Sequence, residues 1–195
     1  MPLSPFFTTL LTYFVRHQNQ LQNKFGHFIA WSSLSLVLIT ALVVILRYGF
    51  GTGSIALQES VMYNHAILFM LGMAYTYQQD KHVRVDVFYT RYSERTRAWI
   101  NLFGTLLMTL PTMIFIIWSG WDYVAVSWRI NETSAEAGGL AYLYLLKTLI
   151  LLMAALVISQ ALSTAAQAWL TLSSAENVSP DDINNNQVDN LEGKL

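Results

Sequence analysis

The chain has 195 residues, 54% of them hydrophobic and 12% charged, with a formal net charge of −1. Soluble domains carry roughly 25% charged residues, so most soluble enzymology is excluded, and the near-zero charge gives no reason to expect a nucleic-acid partner. No cysteine is present, which excludes disulfides, thiolate metal sites and cysteine nucleophiles.

In chain order, Phe6, Phe7, Leu10, Leu11 and Phe14 recur at helical spacing, close to Arg16 and Lys24. Two readings fit this segment: an interfacial amphipathic helix on the cytoplasmic leaflet, or a frayed apolar terminus. Met1–Gly26 runs from apolar to polar, the reverse of a cleavable signal, so the first long apolar stretch is expected as a retained signal anchor. Four such stretches follow one another, and their expected spans are about 28–48, 61–79, 100–121 and 140–172. Each suffices for a hydrocarbon core of roughly 30 Å, which takes about 20 helical residues.

Arg47-Tyr48 closes the first span, and Gly49, Gly51 and Gly53 predict a flexible turn. Gln58-Glu59-Ser60 leads into the second span, with Asn64 and His65 near its start. Pro111 in the third removes a backbone hydrogen bond and predicts a kink, with Thr109 and Thr112 placed to satisfy the freed carbonyl. Trp118, Trp121, Tyr123 and Trp128 gather at one end of that span, with Trp99, Trp31 and Trp169 near inner ends, as expected of interfacial belts. Ala161, Ala165 and Ala168 in the fourth form a small-residue face suited to close packing, and one candidate for meeting a partner. Residues 173–195 are polar and acidic and are expected to be disordered. Asn131-Glu132-Thr133 matches a glycosylation pattern by letter alone.

The expected fold is therefore all-α: an integral membrane four-helix bundle forming one domain over 1–172, with a disordered acidic cytoplasmic tail. Lysine and arginine counts set the orientation. The first segment holds Arg16 and Lys24, and the middle connection holds Lys81, Arg84, Arg91, Arg95 and Arg97. The other two connections hold only Arg47 and Arg129, so both termini and the middle loop are expected in the cytoplasm.

Ionisable residues inside a membrane are expensive and need an explanation. Lys147 lies about two helical turns inside the fourth span. It reads either as a snorkelling anchor or as one half of an ion pair with Glu59, Asp122 or Glu132 that ties the outer ends together. No His-Glu-x-x-His helix occurs, and the only carboxylate near a span interior is Asp122, at a margin. No catalytic or metal-binding constellation is expected, and no cofactor. Haem would need facing histidines. His27 and His82 share one margin, but His82 belongs to the polar run Asp80-Lys81-His82-Val83-Arg84, which suits a solvated loop.

Leu71-Gly72-Met73-Ala74, followed by His82-Val83-Arg84-Val85-Asp86-Val87-Phe88, resembles the hallmark of the small membrane subunit of tripartite ATP-independent periplasmic (TRAP) transporters. Other pieces of that pattern follow in order: Arg47-Tyr48, Glu59, Glu132-Thr133-Ser134, Gly138-Gly139-Leu140, Lys147 and Gln160. The likeness runs from about Phe28 to Leu170. Glu-Thr-Ser-Ala-Glu-Ala-Gly-Gly-Leu is similar to the branch linked with 2-oxo acids, mannitol or haloaromatic acids. One departure is the stretch Ile55-Ala56-Leu57-Gln58-Glu59, where small subunits often carry a tryptophan just before the acidic residue.

The resemblance implies a scaffold in the bacterial inner membrane. A large multi-spanning permease subunit would bind sodium and an organic acid, while a periplasmic substrate-binding protein delivers the solute. Gly49–Ser60 and Arg129–Gly139, with Glu59, Glu132 and Glu136, are candidates for docking that protein. The competing reading is that Glu59 and Glu132 hold Arg47, Arg129 or Lys147. Asp86 is expected to pair with Arg84 or Arg91, locking the inner ends of spans two and three; His82, Arg84 and Asp86 share one side if the segment is extended, and only His82 and Asp86 do if it is helical. Arg84 is also placed to meet anionic lipid headgroups. The runner-up is a membrane anchor subunit of a redox complex.

Overall fold

The computed structural model of the chain describes residues 5–79 and 92–176. Every regular element among them is helical, with no strand. The first helix, α1, covers Pro5–Gly49. After a short turn, α2 (Ile55–Ala66), a π-helical turn (Ile67–Leu71) and α3 (Gly72–Gln78) run on as one segment. The next segment joins α4 (Glu94–Gly104), a second π turn (Thr105–Thr109) and α5 (Leu110–Arg129), and α6 (Leu143–Glu176) is last.

Three helical stretches are long and apolar enough to cross a membrane: Phe6–Gly49, Glu94–Arg129 and Leu143–Ser173. The expected second span is helical over 55–78 but does not join them. Gln58, Glu59, Asn64 and His65 make its first half polar. It is nonetheless anchored in the bundle, because Asn64 Nδ2 donates to Ser35 Oγ at 2.5 Å and to the Ser32 carbonyl at 3.2 Å on α1.

α6 is the central post, packing against α1, α3, α4, α5 and both π turns. Its buried stripe includes Ala154, Val157, Ala161, Ala168 and Leu172, which stay near one face of the helix, while Ser163 is buried on the opposite side. They are mostly small because helices close in from several sides. Ala168 and Leu172, with Ala165 beside them, meet Ala98 and Leu102 of α4. The small-residue face is thus used up inside the subunit and is not a surface for a partner.

A few polar side chains join a mainly apolar core, while large apolar side chains face outward. Gln22, Gln160, Ser127 and Ser163 are buried, while Phe28, Trp31, Phe69 and Trp118 stand exposed. Lipid tails solvate apolar side chains as well as a protein core does, so interhelical polar contacts go inside.

Several expectations are corrected. The N-terminal segment is neither a separate interfacial helix nor frayed over its described part. It continues into the first span as one 45-residue helix, because no proline or glycine interrupts residues 6–25. The apolar face identified there does point outward: Phe6, Phe7, Leu10 and Phe14 are exposed. The helix is held instead by the stripe running through Gln22 and Ile29, both buried. The last helix begins at Leu143 rather than 140 and continues to Glu176, so Ser173–Glu176 are helix and not tail. The irregularity expected at Pro111 takes the form of the π turn just before it. Proline crowds the carbonyl four residues earlier, that of Leu107, and Thr105–Thr109 widens around that position.

Candidate functional site: an interhelical clasp

At the end of the bundle where α1 and α5 finish, the connection between α5 and α6 folds into a closed loop plugged by a carboxylate from α2. The loop begins with the way α5 stops. Asn131 adopts a left-handed conformation with φ of 47°. Its N–H donates to the Trp128 carbonyl at 3.2 Å, and the Glu132 N–H reaches back to the Ser127 carbonyl at 3.0 Å. This pair of bonds is the Schellman helix ending, which asparagine tolerates better than other non-glycine residues. The reversal turns Glu132 back towards α6.

There Lys147 Nζ donates to Glu132 Oε2 at 2.5 Å, with side chains 13% and 27% exposed respectively. The ammonium also sits 4.0 Å from the centroid of the Tyr123 ring on α5, a cation–π distance. Lys147 therefore pairs rather than snorkels, and of its three candidate carboxylates it takes Glu132. Hydrogen bonding from the lysine holds the Glu132 carboxyl below its ordinary value. Alongside, Trp128 Nε1 donates to Thr148 Oγ1 at 2.8 Å, a second tie between α5 and α6.

The loop then closes on itself. The Ser134 N–H donates to the Leu140 carbonyl at 3.0 Å, and the Gly139 N–H donates to the Glu136 carbonyl at 3.0 Å. The tight turn Glu136-Ala137-Gly138-Gly139 has φ of +83° at Gly138, its third position, where type II turns demand glycine. Glu59 fills the loop from α2. The Ser134 hydroxyl donates to Glu59 Oε1, and the Leu140 N–H donates to Oε2 at 2.6 Å. The Ser134 oxygen in turn accepts the Glu136 N–H at 3.1 Å. These bonds stabilise the ionised form of Glu59 and lower its pKa, Ser134 contributing most and Leu140 next. Gly139 lies against the carboxylate so closely that an added Cβ would collide with Ser134 and come 2.7 Å from Glu59 Oε1.

Six of the ten residues singled out in the sequence thus meet in one place: Glu59, Glu132, Ser134, Gly138, Gly139 and Lys147. Arg47 does not join them. It is exposed at the end of α1, and Glu59 bonds neutral donors instead, because the Ser134–Leu140 loop reaches it first. The guess that Glu59 holds an arginine is therefore corrected. His82, Arg84 and Asp86 lie outside the described residues. His27 has Nδ1 2.7 Å from its own helix's Asn23 carbonyl and packs edge-on against Tyr75.

A second polar cluster was not foreseen as a unit. Asn19 Oδ1 on α1 accepts from Gln160 Nε2 at 2.9 Å and from Ser163 Oγ at 3.2 Å on α6. The Asn19 carbonyl accepts from Gln78 Nε2 on α3 at 2.8 Å, and Gln18 Nε2 donates to Ser159 Oγ at 2.9 Å. The available signal was amides at helical spacing in α1, namely Gln18, Asn19 and Gln22, facing Gln160 in an otherwise apolar α6.

Residues 36–171 match the family profile described as tripartite ATP-independent periplasmic transporters, DctQ component. The chain belongs to this family. The match takes in the last third of α1 and nearly all of α6, and it contains every residue of the clasp. No curated protein and no solved structure matches the chain. Membership in the DctQ family makes it a transporter membrane component, the small permease subunit of a tripartite system. The clasp carboxylates Glu59 and Glu132 bond to groups of the same chain.

Proposed function

We propose that this chain scaffolds a large multi-spanning permease subunit in the bacterial inner membrane, supporting binding-protein-dependent uptake of an organic acid driven by an ion gradient, with sodium bound on the partner. All four helical segments cross the membrane in this reading, with both termini cytoplasmic and the clasp facing the periplasm. The observation that carries it is the fate of the family's polar residues. Glu59, Ser134 and the Glu132–Lys147 pair spend their bonding on one another to hold α2, α5 and α6 together, as a fixed support requires. The less apolar segment 55–78 crosses because it packs against α1 and α6.

Within this reading, docking of the periplasmic binding protein falls to Glu136. Its side chain is exposed on the clasp, while Glu59 and Glu132 are engaged. Complementary charge chiefly sets encounter rate and register. The deciding experiment is mass spectrometry of what co-purifies with the chain from native membranes in mild detergent. A stoichiometric large permease subunit is expected; redox subunits, or no partner, would overturn the scaffold. For docking, Glu136→Lys is expected to slow uptake when the binding protein is limiting, and unchanged uptake removes that role from Glu136.

A further inference from the structure

α5 stands at the edge of the bundle, packed against α6 and the π turn that precedes it. Val124 and Ser127 are its buried residues and mark its inward side. At about 100° per residue, Phe115, Trp118 and Asp122 fall on the opposite side, and all three are exposed, Trp118 at 76%. Thr112, Phe115, Ser119 and Asp122 follow one another at three or four positions, so they form one row, and every member of it is exposed.

The polar groups of this row are unused. Exposed hydroxyls on α1 bond back to their own helix: Thr12 to the Thr8 carbonyl, Ser33 to that of Ala30 and Thr40 to that of Leu36. Thr112 and Ser119 make no such bond, and Asp122 has neither a cation nor a donor beside it among the described residues. Ionisable side chains on membrane-crossing helices face a bundle interior or a polar cavity. Asp122 faces away from its own bundle, about 10 Å short of the helix end at Arg129. By contrast, the outward side of α1 presents Val37, Leu38, Leu42 and Ile45, a surface that lipid tails cover without loss.

Beside Asp122, Trp118 and Trp121 wall an open groove of about 390 Å³, with Ile114 and Ile117 along it. A slot with indole walls and a carboxylate at its rim suits a lysine or arginine side chain. The methylenes lie along the rings, and the cation meets both the carboxylate and the π faces. Ser119 and Thr112 supply what helices in membranes pack on: small side chains that permit close approach and hydroxyls that bond across the contact.

We propose that this outward row of α5 is the surface on which the large permease subunit packs. It takes a membrane-crossing helix that sets a small residue against Ser119 and a lysine or arginine in the groove at Asp122. This rests on the scaffold reading above and adds to it the face and the chemistry of the contact.

The chain has no cysteine, so single cysteines report position cleanly. Ser119→Cys and, as a control on α1, Leu38→Cys are labelled with a maleimide benzophenone in native membranes holding the whole system, then irradiated. Adducts with the permease are expected from position 119 and not from position 38. Asp122→Lys is expected to lower the permease recovered with the chain about tenfold, through like charges set face to face. Asp122→Glu is expected to retain it. Neither is expected to move the unfolding midpoint of the chain purified alone, because both changes are exposed. Permease adducts no more frequent from position 119 than from position 38, whether lipid or a second copy is captured instead, overturn this face and leave the scaffold standing. Full recovery of the permease with Asp122→Lys does the same. If the unaltered chain recovers no permease at all, the scaffold falls and this surface with it.

Discussion

The two polar regions of this bundle solve the same problem with different chemistry. The clasp joins α2, α5 and α6 with two carboxylates and a lysine, while the amide cluster joins α1, α3 and α6 with asparagine, glutamine and serine alone. The clasp sits at helix ends and in a loop, where its charges keep partial contact with solvent. The amides of Gln22 and Gln160 lie fully inside the bundle. An ionised group deep in an apolar interior costs far more than a neutral amide. The comparison teaches that strong, charge-assisted ties belong at the rim, and that the interior is tied by weaker neutral bonds placed in number.

The sharpest way to break this contrast is Glu59→Ala. It leaves the Ser134 hydroxyl and the Leu140 N–H without their acceptor, and the whole loop loses its plug. The largest fall in thermal stability of the set is expected in detergent, along with a severalfold lower yield of assembled complex. Gly139→Val attacks the same loop sterically, since its Cβ has no space beside Ser134 and Glu59. Overpacking of this kind costs about 1–3 kcal/mol, read as an earlier unfolding transition.

Acid probes the clasp without mutation. Both carboxyls have folded pKa values below their ordinary 4.5. Their contribution is therefore complete above about 4.5 and is lost as pH falls through the depressed folded values. A thermal-stability profile is expected to be flat from these groups between pH 5 and 8 and to drop below 4.5, and the drop is expected to shrink in Glu59→Gln. Amide exchange at Leu140 reports the same loosening locally.

Smaller effects sharpen the comparison. Asn131→Val is expected to cost about 1–2 kcal/mol because a β-branched side chain resists the left-handed conformation, while Asn131→Gly is expected to be neutral or mildly stabilising. At the amide end, Gln160→Leu removes one of two donors to Asn19 Oδ1, and Ser163 remains. Interhelical polar contacts in membranes average about 0.6 kcal/mol, so the unfolding midpoint is expected to move little. A loss at Gln160 larger than that at Glu59 would reverse the ranking of the two regions.

Much of the clasp was legible in the sequence because its parts are residues with few alternative uses. A glycine pair after Ser134, a lone lysine in an apolar helix and an acid before a span each ask for a partner. Which acid Lys147 takes was not legible. That choice depends on the helix ending at Asn131, whose left-handed turn brings Glu132 round and leaves Asp122 aside. The π turn at Ile67–Leu71 had no proline to announce it, unlike the one before Pro111. The amide cluster was missed because its members lie far apart in sequence: Asn19 and Gln160 become neighbours only through packing. The length of α1 was underestimated for a similar reason, since Gln18 and Asn19 bond to α6 across 141 positions of sequence.

That length has a mechanical consequence. At 1.5 Å per residue, the 45 residues of α1 extend about 67 Å, against a hydrocarbon layer of roughly 30 Å. Even at a tilt of about 40°, the upper end of what spanning helices show, only about 26 residues fit within that layer. The remainder stands beyond it as a stiff rod, joined without a hinge to the buried portion. A push on the Phe6–Phe14 end therefore travels along the rod to the far side of the bilayer, which makes α1 a strut through which anything gripping that end could set the angle of the whole subunit.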